Sequence, residues 1–127
     1  MTVTSAVPHR VCFQLQVRAD RLEEYRERHE TVWPDMLREI EASGRRNYSL
    51  FLRDDGLLIG YFETDSLEAS DAYLAASPAA ARWEADMAPF FAALDGRPDQ
   101  SFLQLPEIFN LHDQLASLEA TNEGPSS

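Results

Sequence analysis

The sequence of 127 residues predicts an α+β fold whose elements follow the order β-α-β-β-α-β. Two strand patterns that flank an Asp-Asp-Gly turn predict a hairpin in the middle of the chain. An alternating apolar run precedes the first helical pattern, and a further strand pattern follows the second. This order is typical of the ferredoxin-like fold, a four-stranded antiparallel sheet with two helices on one face.

The first strand and the first helix are predicted from their apolar periodicity. In RVCFQLQV, at 10–17, every second residue is apolar, as in a strand with one face on a core. Asp20 is suited to an N-cap, with Glu23 three residues later, and apolar residues then recur at helical spacing from 21 to about 43. Pro34 predicts a kink or a restart in the three residues before it, because proline lacks a backbone donor.

The rest of the chain supplies the hairpin, the second helix and the last strand. NYSLFL and LLIGYFET flank the turn of the hairpin. Helix is predicted from Ser66 to about Leu94, with Pro78 dividing it into two parts, and a DGRPDQS loop follows. FLQLPEIFNL predicts a last strand in two pieces, with Pro106 at an edge position or a bulge.

Length and composition predict one domain. The 44% apolar and 26% charged residues are those of an ordinary globular protein. We expect a ragged leader at 1–9, a folded domain at 10–111, and a polar tail at 112–127 that begins as a short helix and becomes disordered. The leader lacks a secretory signal pattern, so the expected location is the cytoplasm. The one cysteine, Cys12, is expected to be a structural thiol.

The charge balance limits the partners. A formal net charge of −11 disfavours nucleic acid and anionic lipid, which proteins bind mainly through Lys and Arg. A membrane-spanning helix needs a run of about 18 apolar residues, and the sequence contains no such run. A neutral small molecule carries no such penalty. The uncovered sheet face predicts a homodimer packed sheet to sheet, a ligand pocket roofed by loops, or both.

The usual metal and nucleotide motifs are absent from the sequence. His9, His29 and His112 are far apart, and neither His-x-x-x-His nor Cys-x-x-Cys occurs. No glycine-rich phosphate loop occurs either. We therefore expect neither a metal nor a nucleotide cofactor. A Ser-His-Asp or Cys-His triad stays open, although no nucleophile-elbow motif supports one.

Five polar aromatic residues occupy positions where a packed core would favour aliphatic side chains. They are Tyr25, His29, Trp33, Tyr48 and Trp83. Flat rings stack on the C–H faces of sugars, while hydroxyl groups and imidazole nitrogens exchange hydrogen bonds with sugar hydroxyls. This set suits a carbohydrate site. Each member also has a structural interpretation, as a residue at the rim of the core or in a half-buried strand.

Three segments, EEYRERHETVWPDML, GRRNYSLFLR and ARWEADM, together resemble the L-rhamnose mutarotase family. The likeness extends from about 10 to 111 and includes the closing LPEIFNL. The resemblance implies a ferredoxin-like domain that dimerises into an α+β barrel. It also implies an isomerase that interconverts the α and β anomers of rhamnose without a cofactor.

The resemblance also assigns roles to individual residues. It implies that His29 is the acid/base residue and that Tyr25 and Tyr48 bind the sugar. Trp83 matches the first member of a tryptophan pair that lines the family's pocket. Glu84 stands where the second tryptophan would be, which leaves open whether the sugar is L-rhamnose or a related 6-deoxy hexose such as L-fucose.

Two further pocket residues and two other functions complete the expectations. Trp33 is expected to bind the sugar, and Asn47 is expected to contribute a pocket amide. Ferredoxin-like dimers also serve as small oxygenases, which would bind haem or a quinone and consume oxygen. A non-catalytic sugar-binding module is the third interpretation, and it would bind sugar without accelerating any reaction.

Overall fold

A computed structural model describes residues 9–92 and 102–122, with the side chains of 121 and 122 excepted. Four strands and five helices lie in these ranges. In chain order they are β1 (His9–Gln16), α1 (Leu22–Glu30), α2 (Pro34–Ala42), β2 (Arg46–Leu52), β3 (Leu57–Thr64), α3 (Leu67–Ala76), α4 (Pro78–Met87), β4 (Leu103–Leu105) and α5 (Leu111–Asn122). None of the helices within these ranges is long and apolar enough to cross a membrane.

The four strands form one sheet in the order β2-β3-β1-β4, and every neighbouring pair is antiparallel. Helices cover one face of this sheet. One buried apolar cluster combines Leu58 of β3 with a residue from each of the first four helices, namely Tyr25, Met36, Leu74 and Trp83. The predicted ferredoxin-like arrangement is therefore confirmed.

The first helical region is divided at 31–33, as the proline predicted. Pro34 occupies the first turn of α2, where its missing N–H needs no helical partner. The predicted cap at Asp20 is wrong, because 19–21 form a 3-10 turn and α1 begins after Arg21 without a side-chain cap. The Asp20 carboxylate instead pairs with Arg18 at 3.4 Å.

The hairpin is confirmed, and Gly56 makes its turn possible. Gly56 has φ +96°, and a Cβ there would lie 2.3 Å from the carbonyl oxygen of Val17. Its own carbonyl accepts a hydrogen bond from the Val17 N–H at 2.8 Å. The turn therefore ties the hairpin to the end of β1.

Serine caps begin both α3 and α4, and the division at Pro78 is confirmed. The Ser66 hydroxyl accepts the N–H of Ala69, and the Ser77 hydroxyl accepts the N–H of Ala80, both at 3.1 Å. The predicted continuation to about Leu94 is wrong, because α4 ends at Met87. A 3-10 turn, Ala88–Phe90, follows, and Phe91 then pairs with Val17 as an isolated bridge. The predicted loop at 95–101 lies outside the described residues.

Only the first piece of the predicted last strand is a strand. Leu103–Leu105 pairs with β1, whereas 106–110 has no regular structure. Pro106 cannot donate to a strand ladder, so the pairing stops there.

The helix predicted at the start of the tail is present, and it extends over 111–122 as α5. The disorder predicted for the end of the tail concerns 123–127, which lie outside the described residues. The side chain of Asn110 accepts the N–H of Asp113 at 3.0 Å and so caps this helix. Arg10 of β1 holds its start through salt bridges to Glu107, at 2.7 Å, and to Asp113.

The ring of Phe13 packs closely on the backbone of Gly60 and so positions a group of aromatic side chains on the helix-covered face of the sheet. The ring of Phe13 lies directly over Gly60, where a Cβ would be 2.1 Å from the ring. Phe102 stacks on Phe13 at 4.3 Å, and Tyr48 meets it edge-on at 6.3 Å. Tyr48 is therefore held above the sheet on the same side as the helices.

The sheet face away from the helices, which we name the outer face, presents apolar side chains. Strand register aligns two rows across it, Phe51, Ile59, Gln14 and Leu103 in one and Ser49, Tyr61, Cys12 and Leu105 in the other. Phe51 is 63% exposed and Leu103 is 59% exposed. Such a surface is unusual on a protein that stays monomeric.

Candidate functional site

The structure brings four of the predicted site residues to one cavity between the sheet, α1 and α4. Tyr25, His29, Tyr48 and Trp83 all line it. Two of them, Tyr25 and His29, are one turn apart on α1, so their side chains share a face. The other two come from β2 and α4, which only the fold brings near α1.

His29 is half-buried, and its hydrogen bond decides which ring nitrogen of the neutral imidazole carries the hydrogen. Its Nδ1 lies 2.9 Å from the backbone carbonyl oxygen of Tyr25. Because a carbonyl oxygen only accepts, Nδ1 carries the hydrogen, and Nε2 of the neutral ring is left as a proton acceptor. Burial lowers the pKa of His29 from its ordinary value of 6.5, although the bond to Tyr25 opposes this. At neutral pH the side chain is therefore a neutral imidazole.

Tyr25 is a buried phenol beneath the cavity. It is 4% exposed, and the rings of Phe90 and Phe91 meet it edge-on at 5.8 and 5.6 Å. Burial raises its pKa strongly, and the nearby Tyr48 and Glu84 raise it further. Tyr25 therefore stays protonated across the neutral range and can donate a hydrogen bond.

Trp83 forms a wall of the cavity and Trp33 supports it. The Trp83 ring is T-shaped to His29 at 5.5 Å and to Trp33 at 5.1 Å. Trp83 is 6% exposed, whereas Trp33 is 38% exposed. Trp33 packs against Trp83 and lines neither this cavity nor the wider one beside it. The role of Trp33 in sugar binding stays a prediction.

Asn47 borders a second, wider cavity, which shares His29, Tyr48 and Trp83 with the first. It occupies an irregular position of β2 with φ +51°. Its Nδ2 donates to the carboxylate of Glu63 at 3.2 Å. Contact of this amide with a ligand stays a prediction.

Sequence reasoning missed two charged residues at these cavities. Glu84, seen only as a departure from the family pattern, is 6% exposed and lines both cavities. Arg45 borders the wider one and is itself buried, with its Nε bonded to Ser70 and its charge paired with Asp71 at 2.5 Å. Its guanidinium lies 4.2 Å from the centre of the Phe62 ring. Glu84 repeats the helical spacing of Ala80 and Met87, but this spacing alone does not show whether a carboxylate faces water or the cavity.

A metal centre finds no support in the described side chains. Within 9–92 and 102–120, no three His, Cys, Asp or Glu side chains are grouped so that they could hold a metal ion. The chemistry available at the cavity is that of an imidazole, phenols and a carboxylate.

Comparison with known proteins identifies the family. The family model described as L-rhamnose mutarotase matches residues 10–111. A curated L-rhamnose mutarotase from Clostridium beijerinckii is 30% identical over 102 residues, which cover 78% of this chain and 94% of the relative.

Two solved structures share the fold. The L-rhamnose mutarotase from Formosa agariphila superposes with a TM-score of 0.66 at 23% identity, covering 81% of this chain and 98% of its own. A Nitrosomonas europaea protein, provisionally assigned as an antibiotic biosynthesis monooxygenase, superposes with a TM-score of 0.52 at 12% identity. It covers 84% of this chain and 96% of its own. At these identities the likeness concerns the fold alone.

Proposed function

This chain belongs to the L-rhamnose mutarotase family, and we propose that it interconverts the α and β anomers of L-rhamnose at the cavity between α1, α4 and the sheet. The observation that carries this proposal is the neutral imidazole of His29 in a cavity with aromatic walls. Ring opening of a sugar by proton transfer needs a proton acceptor and walls that hold the substrate, and this cavity has both. A neutral sugar is also compatible with the negative charge of the chain.

Exchange of the anomers requires the pyranose ring to open and to close again. The proton leaves the anomeric hydroxyl, the bond from C1 to the ring oxygen breaks, and the ring oxygen gains a proton. Rotation about the C1–C2 bond then exposes the other face of the aldehyde, and the same proton steps run in reverse. No electron and no group is lost, so the reaction needs only proton transfer and a held substrate.

His29 is suited to carry the proton in both directions. Its Nε2 can accept the proton of the anomeric hydroxyl. The ring oxygen is bonded to the same carbon, so the imidazole can deliver that proton to it without leaving its position. Tyr25, as a neutral phenol one turn away, donates a hydrogen bond that orients the sugar.

The aromatic side chains hold the sugar. Trp83 and Tyr48 present rings to the cavity. Ring faces pack against the C–H groups of a sugar and keep bulk water away from the reacting carbon. The open aldehyde is thereby retained until the ring closes.

Anomer exchange measured by saturation-transfer NMR tests the function directly. Wild-type protein with L-rhamnose should exchange the anomers much faster than buffer, and L-fucose measured alongside ranks the two sugars. Binding without acceleration would indicate the sugar-binding module instead. Oxygen consumption with haem or a quinone would indicate an oxygenase, which the fold likeness to a monooxygenase does not by itself support.

The pH dependence of kcat/KM tests the protonation state of His29. The neutral imidazole is the proton-accepting form, and burial lowers its pKa below 6.5. We therefore expect kcat/KM to rise with pH through a midpoint below 6.5 and to stay level at neutral pH. Buffer-catalysed exchange is subtracted at each pH. A midpoint above 6.5 would contradict the assignment, because it would require a charged partner that stabilises the imidazolium.

We further propose that the outer face is covered by a second copy of the chain. Phe51 and Leu103 are more than half exposed there, and Ile108, just after β4, is 94% exposed. Burial of apolar surface at about 25 cal/mol per Å² favours association, and sheet-to-sheet packing of two copies buries both outer faces together.

Sedimentation velocity of a charged variant tests the dimer. Phe51→Glu places a carboxylate on the most exposed aromatic ring position of the outer face, at the β2 end of its row, so we expect it to sediment as a monomer where the wild type is a dimer. Ala72→Glu adds the same charge at an exposed position of α3, on the helical side, and should leave the dimer intact. A dimeric Phe51→Glu variant would place the interface elsewhere.

A further inference from the structure

Glu84 breaks the pattern of the helix that carries it. The buried residues of α4 are Ala80, Trp83, Glu84 and Met87, which is the spacing of a core-facing stripe. A carboxylate at such a position loses its hydration, a cost that leucine or methionine would avoid. Buried charges of this kind concentrate at functional sites.

The surroundings of Glu84 are those of the candidate site. Glu84 lines the same two cavities as His29, Tyr48 and Trp83. It also lies close enough to Tyr25 to influence that phenol electrostatically. The carboxylate therefore belongs to the wall of the pocket in which the imidazole acts.

We propose that Glu84 binds the substrate, with its carboxylate accepting hydrogen bonds from two neighbouring hydroxyl groups of the sugar and so presenting the anomeric carbon to His29. A carboxylate has two oxygens with about four acceptor positions, so it can serve a protein neighbour and a sugar diol together. This inference rests on the proposed function. The ligand class is a neutral monosaccharide with free adjacent hydroxyl groups.

Glu84→Gln is the variant that tests this role, because it keeps the size of the side chain and removes its charge. Hydrogen bonds to a charged group are worth about twice those between neutral groups, so we expect kcat/KM for L-rhamnose to fall about 10- to 150-fold. Asp86→Asn makes the same change two residues on, where the carboxylate is 38% exposed and pairs with Arg28. It should retain kcat/KM within about twofold, because neither Asp86 nor Arg28 lines either cavity.

Monodeoxy analogues of L-rhamnose identify the contact. Removal of the C2, C3 or C4 hydroxyl leaves the anomeric centre able to react. For an analogue that lacks one of the two contacted hydroxyls, one contact remains, so the difference between wild type and Glu84→Gln should shrink to about 3- to 12-fold. The same difference for every analogue would overturn the role in substrate binding and indicate a structural carboxylate.

The two proposals fail in different ways. Absence of exchange in the wild type would overturn the proposed function. Exchange that is fast in the wild type and equally fast in Glu84→Gln would overturn only the role of Glu84. Thermal melts monitor the fold, and Glu84→Asp, which keeps the charge on a shorter side chain, is used if Glu84→Gln is unstable. Its kcat/KM should fall by less than that of Glu84→Ala, and equal losses would contradict a role for the charge.

Discussion

His29→Ala should slow the exchange of L-rhamnose anomers by about 10²- to 10⁴-fold, the usual contribution of general acid–base catalysis. The variant loses the one imidazole of the cavity, and Tyr25 cannot replace it, because its buried phenol holds its proton too strongly. The fold should survive, since His29 is only half-buried and lies near the end of α1. Saturation-transfer NMR gives the rate, and the thermal midpoint gives the state of the fold.

His112→Ala is the matched control for this prediction. His112 is an exposed residue of α5 that lies just beyond the 10–111 matched by the family model, and its loss should leave the exchange rate unchanged. Near-wild-type exchange in His29→Ala would show that another group transfers the proton. Equal slowing in both variants would point to general damage and not to the imidazole.

Trp83→Ala should lower the free energy of unfolding by about 3–5 kcal/mol, the usual cost of truncating a buried indole. Trp83 is 6% exposed, packs in the main apolar cluster, and touches the rings of His29 and Trp33. Sugar binding should also weaken sharply, because the same ring is a wall of the cavity. Urea denaturation measures the first effect, and NMR titration with L-rhamnose measures the second.

Trp33→Ala separates packing from sugar contact. Trp33 is partly exposed and meets Trp83 edge-on, so its removal should cost about 0.5–1.5 kcal/mol, the worth of an aromatic pair. Its affinity for L-rhamnose should change far less than that of Trp83→Ala. A comparable loss of affinity in both variants would mean that Trp33 also contacts the sugar.

Local rules predicted most of the fold. The structure has the first strand where apolar and polar residues alternate, and it has the hairpin around the Asp-Asp-Gly turn. It also has the two helix interruptions that Pro34 and Pro78 predicted. These features depend on neighbouring residues only. The errors lie at element ends, where Asp20 forms a 3-10 turn with its neighbours and α4 stops at Met87 so that Phe91 can pair with Val17. Those boundaries depend on contacts between distant residues.

The residues of the candidate site also differ in how far the sequence could predict them. Tyr25 and His29 could be placed together from spacing alone, because residues four apart share a helix face. The family resemblance added Tyr48 and Trp83, which the structure places at the same cavity. Glu84 was read only as a substitution, since the sequence does not show whether a carboxylate on a helix faces water or a cavity.

By itself, the sequence determined the order of the elements, the family and the helix face shared by the phenol and the imidazole. These follow from local periodicity, from turn and proline chemistry, and from motif spacing. The tertiary structure alone decided the protonation of His29 and the burial of Glu84. It also decided the apolar rows of the outer face, Phe51 among them. The physical reason is that burial, pKa and strand register depend on groups that are distant in the chain and adjacent in space.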